Sequence, residues 1–201
     1  MGQRLVVSIQ NNGEELATVY YHWSAYTVSA LWEVNKLAGC IYNHKDETES
    51  DLKLSLIRFC EENGGGINGN DAEFKYIESL YPGEVFKKNG YSRSDGLIDL
   101  SEEGRRESHG WSEGDVILYI DEERINNGVF GYWSSYEEYY EEVKSWGEDY
   151  EDYILKLEDI PDIGYDLGDI AIEDIDNVIT ALEESREHFV RYGNEIYELV
   201  E

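Results

Sequence analysis

Four histidines, two cysteines and 45 carboxylates are the side chains of this 201-residue chain that could do chemistry. Their spacing is the first test. His22, His44, His109 and His188 are scattered, and no two stand at the spacing of a metalloprotease helix. Cys40 and His44 lie at i and i+4, which two-ligand metal sites can use. A lone pair of this kind is more often a core thiol beside an exposed imidazole, so no metal is expected. Asp162, Asp166, Asp169, Glu173, Asp174 and Asp176 could attract calcium, but they lack the ligand alternation and sixth-position glycine of an EF-hand. Gly64-Gly65-Gly66-Ile67-Asn68-Gly69 is glycine-rich without the Lys-Ser/Thr of a phosphate-binding loop, and reads as a mobile connection. No serine sits in a nucleophile motif. Carboxylate pairs carry no information in a chain with 45 of them. The sequence therefore predicts no catalytic residue, no cofactor and no enzyme.

What remains is the acid itself. Sixteen Lys and Arg against 45 Asp and Glu leave a net charge of −29. That sign opposes direct nucleic-acid binding, which needs a basic footprint, and opposes docking on anionic membranes. The charge is also uneven. Residues 1–120 carry a net −9 and residues 121–201 a net −20, with −14 concentrated between 137 and 176. A folded chain of this mass exposes roughly 9,700 Å². Those forty positions would then carry one net charge per roughly 140 Å², against about one per 110 Å² on duplex DNA. Rings are interleaved with the acids: Phe130, Tyr132, Trp133, Tyr136, Tyr139, Tyr140, Trp146, Tyr150 and Tyr153. Solubility in a small domain needs a net charge of only about 2–8. Like charges at i and i+4, such as Glu137 and Glu141 or Glu138 and Glu142, cost a few tenths of a kcal/mol each. A field kept at that cost suits a strongly basic protein surface. The expected contact residues are Glu137, Glu138, Glu141, Glu142, Glu148, Asp149, Glu151, Asp152, Glu158 and Asp159, with Tyr140 and Trp146 as rigid anchors.

The elements that must position this surface follow from periodicity. Leu5 to Gln10 alternates as a strand, Asn11-Asn12-Gly13 turns, and Leu16 to Trp23 returns. A helix follows through Val28, Leu31, Trp32, Val34, Leu37 and Ile41, apolar on most sides and expected to be buried. A second helix runs from Ser50 to Cys60, and a short third carries Phe74, Ile77 and Tyr81. Residues 84–131 read as strands with turns at Gly104, Gly110 and Gly114 among others, Asp115 to Ile120 being the clearest strand. Doubled capping boxes at Ser134 and Ser135 predict a helix over 136–146. Ile175 to Tyr192 has helical spacing, and Glu195 to Val200 reads as a last strand. The prediction is an α+β fold, with small antiparallel strands and hairpins packed with four to five helices. It is a single domain over 1–201, with a mixed scaffold portion at 1–131 and a strongly acidic portion at 132–201. Cys40 and Cys60 read as buried thiols, and with neither a signal peptide nor a bilayer-length apolar run the expected location is the cytoplasm of a host cell.

The stretch Gly2-Gln3-Arg4-Leu5, Asn12-Gly13, Leu16-Ala17 and Tyr20-Tyr21-His22-Trp23-Ser24-Ala25-Tyr26-Thr27 resembles small acidic proteins of phages and mobile elements of Gram-positive bacteria. The resemblance covers about the first forty residues and brings no activity or binding residues with it. By analogy of class it implies an anti-defence role, such as the DNA mimics and anti-CRISPR proteins. Phe59-Cys60-Glu61-Glu62-Asn63-Gly64-Gly65-Gly66 is similar to part of a bacterial immunity-protein pattern. The leading expectation is an inhibitor that blocks the basic nucleic-acid groove of a host nuclease, with a CRISPR effector as the first candidate. The alternatives are an immunity or antitoxin protein against a basic toxin and a carboxylate or metal-dependent enzyme.

Overall fold

The structure is a computed structural model and describes residues 4–25, 27–67, 72–82, 96–127, 168–186, 189–192 and 195–198. A hairpin with a two-residue turn starts the fold. Asn12 and Gly13 both take positive φ, 52° and 79°, as a type I′ turn requires. They join β1 (Leu5–Asn11) to β2 (Glu14–Tyr21), with a bulge between Ile9 and Gln10. Then follow α1 (Thr27–Tyr42), α2 (Glu49–Glu62), β3 (Gly66–Ile67), α3 (Ala72–Leu80), β4 (Leu97–Asp99), α4 (Glu102–Gly110), β5 (Gly114–Tyr119) and β6 (Arg124–Asn127). After them come β7 (Gly168–Ala171), a 3-10 turn at Ile172–Asp174, α5 (Ile175–Arg186), and a separate hairpin of β8 (Phe189–Tyr192) and β9 (Glu195–Glu198).

Seven strands form one sheet in the order β3-β4-β2-β1-β5-β6-β7. The class is α+β as predicted, with five α-helices among the described residues. The sheet is mixed rather than antiparallel, because β1 pairs β5 and β3 pairs β4 in parallel. Register explains the core. Ile67, Ile98, Val19, Val7, Val116, Leu118, Ile125 and Ile170 fall on one face through successive rungs and are all buried. The helices α1, α2, α3 and α5 cover that face with Leu31, Val34, Leu37, Leu52, Leu56, Phe74, Ile175 and Ile179. The alternate positions Ser8, Thr18, Asp99 and Asp115 point the other way, where α4 lies.

Five sequence expectations change. Residues 102–110 form α4 instead of turns: Ser101 Oγ accepts the Gly104 N–H at 3.2 Å and starts the helix. Helix α2 begins at Glu49, one residue before the expected Ser50, because Thr48 caps it through a reciprocal box with Asp51. The glycine run contains β3, drawn against β4 by the Gly66 N–H bond to the Gly96 carbonyl. Residues 189–192 pair with β9 as β8 instead of extending α5, with Val190 opposite Tyr197 and Tyr192 opposite Glu195. Trp32 is 48% exposed and does not join the buried face of α1. The predicted helix over 136–146 lies outside the described residues.

Candidate protein-docking site

The twelve predicted contact residues, Glu137 to Asp159 with Tyr140 and Trp146, lie outside the described residues. The structure does describe where their segment leaves the fold and where it returns. Asn127 ends β6 and Gly168 begins β7, and the two are register partners in an antiparallel pair. Residues 128–167 are therefore an insertion between adjacent points of one sheet. They hold twelve acidic residues against Lys144 and Lys156, a net −10.

The β6–β7 pair that carries the insertion is itself acidic, most of all at the end away from the exit, where Arg124 faces Ala171. Asp121, Glu122 and Glu123 form the exposed turn before β6, and Asp169, Glu173 and Asp174 are exposed on β7 and the 3-10 turn beside it. Two cations answer them. Arg124 Nε donates to Glu122 at 2.8 Å and its Nη1 to Asp169 at 2.7 Å, with the guanidinium carbon 3.9 Å from the Tyr119 ring centroid. Lys45, from the turn after α1, pairs with Glu123 and stands 4.5 Å over the Tyr42 ring. Seven acids at 121–123 and 169–176 against Arg124 and Lys45 leave this corner strongly negative. A cleft of about 450 Å³ lies between Tyr42, Glu122, Glu123, Ala171, Ile172 and Glu173. The acidic surface expected from sequence begins at Glu137 and omits Asp121-Glu122-Glu123. An acidic triplet directly before a strand was the available signal.

A second polar cluster occupies the opposite face of the sheet, under α4. Ser108 Oγ donates to Asp99 at 2.5 Å, and Asp99 is buried. Glu15 accepts from Ser8 Oγ at 2.5 Å and meets His109 Nε2 at 2.8 Å and Arg105 Nε at 3.3 Å. His109 Nδ1 lies 3.5 Å from Asp115. Both ring nitrogens thus face carboxylates. Hydrogen bonds to Asp115 and Glu15 lift the imidazolium to about 9, leaving no free lone pair for a general base near neutrality. Burial alone would raise the Glu15 carboxyl, but its hydrogen bonds to His109 and Ser8 and the charges of His109 and Arg105 bring it below the usual range. The cluster is built as a clamp of α4 onto β2 and β5, and it does not activate a nucleophile.

The other predicted chemistries meet ordinary structural roles. Cys40 is half-buried and its Sγ donates to the Ser55 carbonyl at 3.8 Å, while His44 Nδ1 turns to Glu47 at 2.9 Å. Cys60 is buried, which pushes its thiol up to about 12, and burial raises Cys40 as well, so neither is poised as a thiolate. Among the described residues no group of three or more metal-ligating side chains converges. No helix among them is long and apolar enough to cross a membrane.

The clamp makes a pH prediction. His109 titrates near 6.5 when unfolded and near 9 when folded. Its stabilisation is therefore fully present below about 6.5 and is lost as the pH rises through about 9. A shift of this size in a buried group would be worth about 3 kcal/mol. With the ring 39% exposed, screening leaves about 1 kcal/mol. His109→Gln should melt lower than the parent at pH 6, and the gap should close by pH 9.5. A gap that persists unchanged at pH 9.5 would assign the loss to packing instead of charge.

Fold and charge together define an α+β protein on a seven-stranded mixed sheet, with an acidic insertion at one sheet edge. Compared with known proteins, the chain matches no family model, no curated protein and no solved structure.

Proposed function

We propose that this protein is a non-catalytic inhibitor of phage type. It presents an acidic, aromatic-rich surface to the basic nucleic-acid groove of a host defence nuclease, a CRISPR effector being the first candidate. The observation that carries the reading is the placement of charge. Exposed acids at 121–123 and 173–174 cluster at the Arg124–Ala171 end of the β6–β7 pair, and Asp169 stands beside the Asn127–Gly168 end where the net −10 insertion leaves the sheet, so one pair of short strands carries both into a common field. Such a field draws in a basic surface and competes with phosphates for the same cations. The Tyr and Trp residues within 128–167 supply contact area at low entropic cost.

The test is capture from host lysate by the immobilised full-length chain at about 50 mM salt, followed by two elutions. A partner held in its nucleic-acid groove should be released by duplex DNA or guide RNA. It should also leave as salt rises to about 500 mM, because the Debye length falls from more than 10 Å towards a few ångström. Partners that stay bound at high salt and ignore nucleic acid would mean an apolar interface elsewhere on the protein.

A further inference from the structure

Among the described residues β7 is the last strand of its sheet, paired on one side by β6 and on the other by none. The phase of its ladder can be read from one bond. Ile172 N–H donates to the Glu123 carbonyl at 2.9 Å, so this opposed pair is a hydrogen-bonded one. Alternation then directs the backbone groups of Ile170 and Gly168 towards β6, and those of Asp169 and Ala171 outward. Beside that outer edge lies a groove of about 490 Å³, bounded by Asp169, Ile170, Ala171, Asp174, Val178 and Ala181. Its two sides differ. Asp169 projects from the sheet face opposite the core, while Val178 and Ala181 belong to α5, which packs on the core face.

We infer that β7 accepts an extended basic segment of the partner as an additional antiparallel strand. The inference rests on the polyanion reading above and names how that surface grips. A residue directly opposite Asp169 has its side chain on the same face as the carboxylate, so that position suits Arg or Lys. The next residue turns towards Val178 and Ala181 and suits a small apolar side chain. The occupant is thus a strand of alternating basic and apolar residues, bound through main-chain hydrogen bonds. Charge also selects against a second copy of this chain. Pairing β7 with its own copy would bring Asp169 and Asp174 close to acids of the same sign.

Ala171 offers a clean variant. Its φ of −64° and ψ of 143° already match proline, and its outward N–H is not used by β6. Ala171→Pro therefore removes one edge donor and fills the edge without changing any charge. The probe is a capped eight-residue peptide alternating Arg and Val, titrated at about 50 mM salt. The full-length wild type should bind it, and Ala171→Pro should bind at least tenfold more weakly while melting within a few degrees of wild type. In the docked register the Arg amides point at β7 and the Val amides point away. N-methylation at the Arg positions should cost at least tenfold, and N-methylation at the Val positions less than threefold. Should the proline variant fail to fold, the two methylated peptides decide. Salt-sensitive binding that ignores both the proline and the methylation pattern would overturn the edge while leaving the polyanion reading intact. Absence of any peptide binding would overturn it too. So would slow amide exchange at Asp169 and Ala171 in the free protein, because the edge would then already be covered.

Discussion

Neutralising Glu138, Glu142, Asp149 and Asp152 to their amides is expected to weaken the captured partner roughly 30- to 1,000-fold in Kd. The four charges belong to the insertion that leaves the sheet between Asn127 and Gly168. At roughly 0.5–1 kcal/mol for each exposed charge pair, their loss is worth about 2–4 kcal/mol at low salt. The melting temperature should stay level or rise, because removing like charges relieves repulsion. Position is separated from bulk charge by two matched pairs. Glu141→Gln with Glu142→Gln should weaken binding about 5- to 30-fold. Glu62→Gln with Glu78→Gln removes the same formal charge from exposed sites at the ends of α2 and α3. Those helices flank the β3 end of the sheet, across from β7, and the control should move Kd less than twofold. Equal effects from the two pairs would mean that net charge or another surface binds. Glu14 and Glu15 are unsuitable as the control, although the sequence suggests them as surface charges. Glu15 is held by Ser8, His109 and Arg105, so its loss would also loosen α4.

Gly65→Ala should cost about 3 kcal/mol or more, whereas Gly39→Ala should stabilise the protein by about 0.5–1 kcal/mol. A Cβ at Gly65 would stand 2.2 Å from the Gly96 carbonyl oxygen and 2.9 Å from that of Cys60. Both obstacles are backbone, and Gly65 also donates to the Cys60 carbonyl at 2.6 Å, so neither side can yield without disturbing β3 and β4. Gly39 lies exposed inside α1 and its added Cβ would meet nothing within 4 Å, leaving only the gain in helix propensity. At about 2–4 °C per kcal/mol for a chain of this length, the two variants should melt on opposite sides of wild type. Gly65→Ala at wild-type stability would show that β3 can separate from β4 at little cost.

The same glycine marks the limit of reading this chain by pattern. Strong period-2 and period-3.6 signals carry β1, β2, α1, α2, α3 and β5, and each forms close to its predicted span. Asn12-Gly13 names its own turn type. Helix α4 fails that test because Glu102–Gly110 has no apolar stripe. It is held by polar contacts, Ser108 to the nearby Asp99 of β4 and Arg105 and His109 to Glu15 of β2, far away in sequence. Trp32 shows the reverse error, an apolar residue on a largely buried helix that no element among the described residues covers.

Residue order read locally determines the sign, size and unevenness of the charge and an α+β fold, because these depend on residue types and their period. Only the tertiary structure decides how the charge is displayed. Pairing Asn127 with Gly168 makes the acidic stretch an insertion at one sheet edge, and pairing Arg124 with Ala171 brings Asp121, Glu122 and Glu123 beside Glu173 and Asp174 at the other end of the same two strands. The parallel pairing of β1 with β5 was equally invisible, since it joins segments about a hundred residues apart. Such pairings depend on which strands find each other across long loops, and a hydrophobic period fixes the face of a strand but not its neighbour.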